Sequence, residues 1–167
     1  MTTETTAIDS AGVPSFTLAG GARIPAIGLG TFGSDRFSLE EIAAAAGVAL
    51  RTGYRLIDCA SVYANEHLIG PVLAETMADL GLARDDVFIV SKVWNDAHDP
   101  AAAVASVHQS LADLKLDHLD ALLIHWPFPN VHERFAAPEA RNPSSRPTST
   151  PSTWPCTGRW RVWWTPA

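Results

Sequence analysis

The organisation of this chain is decided by residues 54–66, YRLIDCASVYANE. They predict a short buried strand that ends at Asp58, a turn that carries Tyr63, and a helix that opens near Asn65. A carboxylate at the end of a buried strand, followed by a phenol, is an unusual choice for packing alone. The stretch is therefore a candidate functional site.

Two later apolar runs also end in a polar residue. Residues 87–92 end in Lys92, and residues 119–125 end in His125. Taken singly, an aspartate, lysine or histidine in such a place is more often a turn, surface or structural residue than a catalytic one. Their combination must be judged together with the rest of the pattern.

The segments around these runs alternate between strand and helix signals. Residues 16–18 and 22–24 predict a hairpin around the Gly20-Gly21 turn, and residues 26–29 predict a strand that ends at Gly30-Thr31. A capping box at Ser38 predicts the first helix.

The second predicted helix spans residues 65–80, where Pro71 is tolerable only near the first turn or at a kink. The third begins with Asp99 as its cap and Pro100 in its first position. The order is a hairpin followed by βα, βα, βα and β, which predicts parallel strands with helical crossovers. Periodicity alone does not distinguish an open sheet from a barrel.

Composition favours an ordinary globular domain. The chain has 167 residues, 47% of them apolar, and contains no run of 18 apolar residues that would predict a transmembrane helix. Residues 1–15 are polar and lack the features of a signal peptide, so we expect a disordered N-terminus and a cytoplasmic protein. The two cysteines, Cys59 and Cys156, provide neither a disulfide framework nor metal-ligand spacing, and Cys59 is predicted to be a buried thiol.

Charge divides the chain into two parts. Residues 1–130 carry 7 basic and 16 acidic side chains, which argues against nucleic acid as the main partner. Residues 131–167 carry 5 basic and 2 acidic side chains and hold 6 of the 12 prolines. We interpret residues 131–167 as a disordered, non-homologous tail, translated out of frame or otherwise foreign to the fold; a natural linker or interaction tail is the alternative.

The four polar residues resemble, in order and spacing, the catalytic tetrad of the aldo-keto reductases: Asp58, Tyr63, Lys92 and His125. The words IPAIGLGT at residues 24–31, Asn65-Glu66 and LIHWP at residues 123–127 are also similar to that family. The resemblance covers residues 16–130 and implies the α/β class and the (β/α)8 TIM-barrel fold. About four βα units would be present, a truncated half-barrel with an N-terminal β-hairpin.

The resemblance also implies a reaction, the NADPH-dependent reduction of an aldehyde or ketone to an alcohol. Tyr63 would be the general acid, because a nearby ammonium on Lys92 favours the phenolate. Asp58 would position Lys92, and His125 would orient the carbonyl group. The cofactor carries the redox chemistry, so no metal is expected.

Further contacts follow from the same resemblance. Gly30 and Thr31, with Asp58, would contact the cofactor. Trp94 and Trp126, with His125, would contact the small carbonyl substrate. Phe32 and Val62 are weaker candidates for the substrate pocket.

Besides a working reductase, two other readings of the half-barrel stay open. The family's later cofactor-binding motifs are not found in the sequence, so an inactive truncated fragment or pseudoenzyme is the alternative to a working reductase. Exposed sheet edges predict self-association. A binding module related to non-enzymatic family members is a third reading, and the identity of the carbonyl substrate stays open.

Overall fold

The computed structural model describes residues 12–126 of the chain. Residues 1–11 of the predicted disordered N-terminus and the whole predicted tail, residues 131–167, lie outside the described residues. The assignments made to them stay predictions.

The predicted hairpin is present at the start of the described chain. Strands β1 (Ser15–Thr17) and β2 (Arg23–Pro25) pair antiparallel, with Phe16 opposite Ile24. Gly21 closes the turn with a φ of 89°, in the left-handed region that glycine enters without a steric penalty. The sequence placed the turn correctly at the glycine pair, although β1 begins at Ser15, one residue earlier than predicted.

A second sheet contains four parallel strands. They are β3 (Leu29–Gly30), β4 (Leu56–Asp58), β5 (Phe88–Val93) and β6 (Ala121–Ile124), and they lie side by side in this order. Sequential parallel neighbours need crossover connections, and a helix supplies each one. The alternation read from the sequence is therefore confirmed as a partial parallel sheet with helices.

The strand boundaries differ from those predicted because tertiary hydrogen bonds set them. The first strand, predicted at residues 26–29, is Leu29–Gly30, since the amide of Ala26 donates to the carbonyl of Pro14 in the hairpin region. The apolar run at residues 87–92 corresponds to β5, which continues to Val93, and the carbonyl of Val93 accepts the amide of His125 at 3.0 Å. Lys92 consequently lies inside the strand and not at its end.

Three helices connect the strands: α1 (Leu39–Arg51), α2 (Glu66–Leu80) and α3 (Pro100–Leu114). The capping box of α1 is confirmed, since Ser38 Oγ accepts the amide of Glu41 and Glu41 Oε2 accepts the amide of Ser38. At α3, Asp99 Oδ1 accepts the amides of the second and third helical residues. Local sequence therefore determines where α1 and α3 begin.

Pro71 lies in the second turn of α2, one turn later than the first turn, where a proline is best tolerated. It has no amide hydrogen, so the carbonyl of His67 lacks its usual intrahelical partner. The helix continues through it to Leu80 and ends at Gly81, whose φ is 65°.

The hydrophobic core lies between the parallel sheet and the helices that cover it. Its main cluster consists of Ala43, Ala46, Ala49, Leu50, Ile57, Cys59, Ile69, Leu73, Val87, Ile89 and Leu114. A second cluster under α3 consists of Val93, Ala97, Ala103 and Val107. Within residues 12–126, no helix has the length and apolar character needed to cross a membrane. The rigid packing holds the carboxyl ends of the four strands side by side.

Candidate active site

The polar residues singled out by the sequence converge at the carboxyl ends of three neighbouring strands. Asp58 is the last residue of β4, Lys92 is the fifth residue of β5, and His125 directly follows β6. Tyr63 closes a 3-10 turn, Ser61–Tyr63, that follows β4. Because the strands are parallel, these positions come together at the end of the sheet where the strands have their carboxyl ends.

Lys92 is the centre of this group. Its Nζ lies 2.6 Å from Asp58 Oδ1, 2.8 Å from the carbonyl oxygen of Cys59 and 3.5 Å from Tyr63 Oη. The lysine side chain is 11% exposed, against 36% for the aspartate. The ammonium is thus largely removed from water, neutralised by one carboxylate and placed beside the phenol. The phenol contact is at the long limit of a hydrogen bond.

His125 packs between two aromatic rings. The rings of Tyr63 and Trp94 lie nearly perpendicular to the imidazole, at centroid distances of 5.6 Å and 4.9 Å. Burial lowers the pKa of His125 below its ordinary 6.5, and the charge of Lys92 lowers it further, while Asp58 acts in the opposite direction. The imidazole is therefore neutral at pH 7.

Aromatic side chains flank the tetrad on two sides. Trp94 contacts Trp126 at a centroid distance of 5.3 Å, and Phe32 contacts Tyr63 at the same distance. Phe32 is 58% exposed and Trp126 is 44% exposed, whereas Val62 is half-buried. The rings predicted to line a substrate pocket therefore lie beside Tyr63 and His125, with open faces on Phe32 and Trp126.

Gly30 and Thr31 have different surroundings. Gly30 pairs with Asp58 across β3 and β4, and a Cβ atom there would meet nothing within 4 Å. Thr31 is fully buried, its Oγ1 donates to the carbonyl of Asp58 at 3.0 Å, and its own carbonyl accepts the amide group of Asn65 at 2.8 Å. The open space is thus beside Gly30, whereas the hydroxyl of Thr31 is already hydrogen-bonded within the protein. Their contact with a cofactor stays a prediction.

The sequence interpretation missed Glu66 as a buried polar residue. It was read as the beginning of a helix, but its carboxylate accepts the hydroxyls of Ser91 at 2.6 Å and Ser110 at 2.7 Å. Only the fold brings these three residues together, and no local pattern in the sequence indicates it. Glu66 therefore joins α2 to β5 and to α3.

Ser61 was also missed. Its hydroxyl donates to the carbonyl oxygen of Lys92 at 3.1 Å, and the residue is 9% exposed. A serine in a predicted turn carries no signal of such a contact, because serines are common in turns.

Cys59 is confirmed as a buried thiol. Its side chain is fully buried in the main core cluster, and burial raises its pKa to about 12, with a further contribution from the charge of Glu66. Among residues 12–126, no group of three or more histidine, cysteine, aspartate or glutamate side chains is arranged to hold a metal ion.

Comparison with known proteins identifies what the site resembles. Residues 26–152 match the model of the "Aldo/keto reductase family". The chain is 44% identical over 113 residues to aldo-keto reductase family 1 member A1 of Xenopus tropicalis, a match that covers 67% of this chain and 34% of that protein. It is 44% identical over 129 residues to the Rattus norvegicus protein of the same name, covering 77% and 38%.

Solved structures agree with this result. The aldose reductase of Schistosoma japonicum superimposes with a TM-score of 0.68 at 39% identity, covering 74% of this chain and 40% of that one. A Bombyx mori aldo-keto reductase in complex with NADP superimposes with a TM-score of 0.66 at 33% identity, covering 73% and 43%. The chain therefore spans about a third of the length of the curated relatives it matches, and the matched structures are TIM barrels.

Proposed function

The chain belongs to the aldo/keto reductase family, and from this premise we propose that it reduces an aldehyde or ketone to an alcohol with NADPH as the hydride donor. The observation that carries the proposal is the position of Lys92 Nζ, which lies 2.6 Å from Asp58 and 3.5 Å from Tyr63 Oη. A weak acid beside a buried ammonium is the arrangement that proton donation to a reduced carbonyl requires.

Tyr63 is the proton donor in this proposal. Hydride addition leaves negative charge on the carbonyl oxygen, and the phenol at Tyr63 Oη supplies the proton. The phenolate that remains faces the ammonium of Lys92, whose charge stabilises it. The carboxylate of Asp58 lowers the cost of keeping that ammonium away from water and holds it in place.

His125 orients the carbonyl group and does not supply the proton. Burial and the charge of Lys92 lower its pKa, so it is a neutral imidazole at pH 7 and a far weaker acid than an imidazolium. A neutral imidazole still donates one N–H hydrogen bond. Its ring centroid lies 5.6 Å from that of Tyr63, and in this proposal its N–H and the phenol address the same carbonyl oxygen.

The residues beside the tetrad fit a nicotinamide cofactor and an apolar carbonyl substrate. The open space at Gly30 adjoins Asp58, and the exposed ring of Phe32 borders Tyr63. Trp94 and Trp126 provide the apolar surface on the histidine side. The NADP complex of the Bombyx mori relative supports the choice of cofactor. The cofactor supplies the hydride, and the residues of this chain bind, orient and protonate.

Tryptophan fluorescence tests cofactor binding, because Trp94 and Trp126 lie at the site. We expect saturable quenching when NADPH is added to the purified chain, followed by NADPH-dependent reduction of an aromatic or aliphatic aldehyde. A folded chain that neither binds NADPH nor reduces any carbonyl contradicts the proposed activity and favours an inactive fragment.

A tyrosine pair tests the mechanism. Tyr63→Phe should lower kcat by about 10² or more, as expected for removal of a general acid, and leave NADPH quenching intact. Tyr54→Phe is the matched control, because the chain has two tyrosines and Tyr54 packs at the edge of the core. Full turnover in Tyr63→Phe would exclude the phenol as the acid.

Two further statements belong to the proposal. We expect the protein to act in the cytoplasm on a small carbonyl compound, and to self-associate through an exposed edge of the parallel sheet. Among residues 12–126, β6 forms one such edge, and its Leu123 is 48% exposed. Sedimentation of the purified chain tests the second statement, with a defined dimer as the expected species.

A further inference from the structure

We propose that Ser61 is a positioning residue: its hydroxyl fixes the turn that carries Tyr63 against the strand that carries Lys92, and so sets the distance between the phenol and the ammonium. The inference rests on the proposed function for its catalytic meaning. Its structural content, the control of one distance by one hydrogen bond, can be measured without cofactor or substrate.

The backbone pairing between β4 and β5 ends just before the turn. The amide of Cys59 donates to the carbonyl oxygen of Val90 at 2.8 Å, which is the last backbone hydrogen bond from this segment to β5 in the described part of the chain. Carbonyl groups two residues apart in a strand point to the same side. The next carbonyl on that side of β5 is therefore that of Lys92.

At this carbonyl the side chain of Ser61 replaces a backbone amide as the hydrogen-bond donor. The chain has turned away from the strand by then, so no backbone amide of the turn reaches Lys92. The hydroxyl of Ser61 donates to the Lys92 carbonyl at 3.1 Å and extends the pairing by one side-chain hydrogen bond. Ser61 is 9% exposed, so water competes little for this bond.

One lysine is thereby held at two points by one short turn. Ser61 holds its backbone carbonyl, and Tyr63 lies 3.5 Å from its ammonium. The turn is tightly constructed, since the amide of Tyr63 donates to the carbonyl of Ala60 and Ala64 adopts a φ of 55°. A movement of Ser61 away from β5 therefore carries Tyr63 with it.

The contact between Lys92 and Tyr63 is sensitive to such a movement. At 3.5 Å it is already at the limit of a hydrogen bond, so a small increase in distance removes it. By contrast, the contacts of Lys92 with Asp58 at 2.6 Å and with the Cys59 carbonyl at 2.8 Å are short. Loss of the Ser61 hydroxyl should thus leave the ion pair in place and separate the phenol from it.

The test is the distance between Tyr63 Oη and Lys92 Nζ in crystal structures of the parent chain and its variants. We expect Ser61→Ala to lengthen this distance from 3.5 Å to beyond about 4 Å, outside hydrogen-bond range, while Lys92 Nζ stays bonded to Asp58 Oδ1. Ser61→Thr keeps a hydroxyl and should restore the parent distance.

Ser110→Ala is the matched control. Ser110 is another buried serine with one donated hydrogen bond, but its partner is Glu66 and not Lys92. It should lower stability without lengthening the distance from Tyr63 Oη to Lys92 Nζ. The proposal is overturned when Ser61→Ala keeps the parent distance, or when Ser61→Ala and Ser110→Ala lengthen it equally. Should Ser61→Ala fail to fold, Ser61→Cys, a weaker donor of similar size, is judged by the same criteria.

Turnover separates this inference from the proposed function. In a chain that reduces carbonyls, Ser61→Ala should lower kcat about tenfold with little change in KM, since the substrate contacts remain. A parent chain that shows no NADPH-dependent reduction, but in which Ser61→Ala still lengthens the distance from Tyr63 Oη to Lys92 Nζ, contradicts the proposed function and leaves the positioning role of Ser61 supported.

Discussion

Lys92 Nζ and Asp58 Oδ1 lie 2.6 Å apart across the β4–β5 pair, and both side chains are partly withdrawn from water. The two residues are separated by 34 positions in the chain, and the parallel pairing of β4 with β5 brings them together. The Lys92 side chain is 11% exposed, and Asp58 is the carboxylate that balances its charge, while the carbonyl of Cys59 accepts a further hydrogen bond at 2.8 Å.

Removal of the carboxylate should therefore cost stability as well as activity. We expect Asp58→Asn to lower the free energy of unfolding by about 1–3 kcal/mol, because Lys92 is left without a counter-charge. Urea denaturation measures the change. The control is Asp79→Asn, which breaks an exposed pair with Arg51 and should cost less than about 1 kcal/mol. Equal losses of unfolding free energy in the two variants would show that the Lys92–Asp58 pair contributes no more than an exposed surface ion pair.

Stability should fall in mildly acidic solution. Burial lowers the pKa of His125 and of His98 below the ordinary 6.5, so protons bind more readily to these residues in the unfolded chain than in the folded one. Their contribution is complete above about pH 6.5 and is lost progressively as the pH falls below that value. Urea midpoints measured from about pH 8 to about pH 5 should decrease accordingly.

Substitution identifies the residues responsible for that acid sensitivity. His125→Gln should flatten the dependence of the urea midpoint on pH, because one half-buried imidazole no longer binds a proton on unfolding. If the urea midpoint of His125→Gln depends on pH as steeply as that of the parent, water reaches the His125 imidazole in the folded protein as freely as in the unfolded chain.

Two helical glycines should respond differently to alanine. At Gly70 in α2 a Cβ atom would lie 2.7 Å from the Cα atom of Leu114, which is backbone of α3 and cannot rotate away. At Gly47 in α1 the nearest atoms belong to side chains, Val72 Cγ1 at 2.9 Å and Thr76 Oγ1 at 3.1 Å. We expect Gly70→Ala to cost about 1–3 kcal/mol and Gly47→Ala less than about 1 kcal/mol.

Thermal or urea denaturation measures both glycine variants. Their secondary-structure environments match, since each glycine lies inside a helix at a helix–helix contact. If helix propensity alone mattered, both substitutions would change the free energy of unfolding by the same amount. Equal changes would therefore contradict the close approach of α2 to α3.

Cys59 should be chemically inert in the folded protein. With a pKa of about 12, a fraction on the order of 10⁻⁴ of the thiol is ionised at about pH 8. In a Cys156→Ser background, we expect labelling by a maleimide or disulfide reagent to be at least about 100-fold slower than in urea-unfolded protein. Fast labelling under native conditions would indicate that the core around β4 opens frequently.

Much of the fold could be predicted from local patterns. The glycine pair that closes the hairpin and the caps at Ser38 and Asp99 act through neighbouring atoms, and the structure confirms them. Strand ends were less accurate, because hydrogen bonds from distant residues decide them. The extension of β5 to Val93 depends on the amide of His125, which the sequence places 32 residues later.

The buried polar residues mark the limit of sequence reasoning at the site. An apolar stripe is visible along a helix, but nothing near Glu66 in the sequence shows that Ser91 and Ser110 will donate to it. The same holds for Ser61, whose partner is the carbonyl of Lys92. Such contacts depend on the close approach of elements that are far apart in the chain.

The residue types of the tetrad, their order and the alternation of strands and helices can be read along the chain, because they depend on local chemistry and periodicity. How close these residues come to one another depends on tertiary packing. The pairing of β4, β5 and β6 places Lys92 between Asp58 and Tyr63, withdraws His125 partly from water, which lowers its pKa, and brings the hydroxyl of Ser61 to the carbonyl of Lys92. Distance and burial are properties of packing, and packing is set by contacts between segments that the sequence keeps apart.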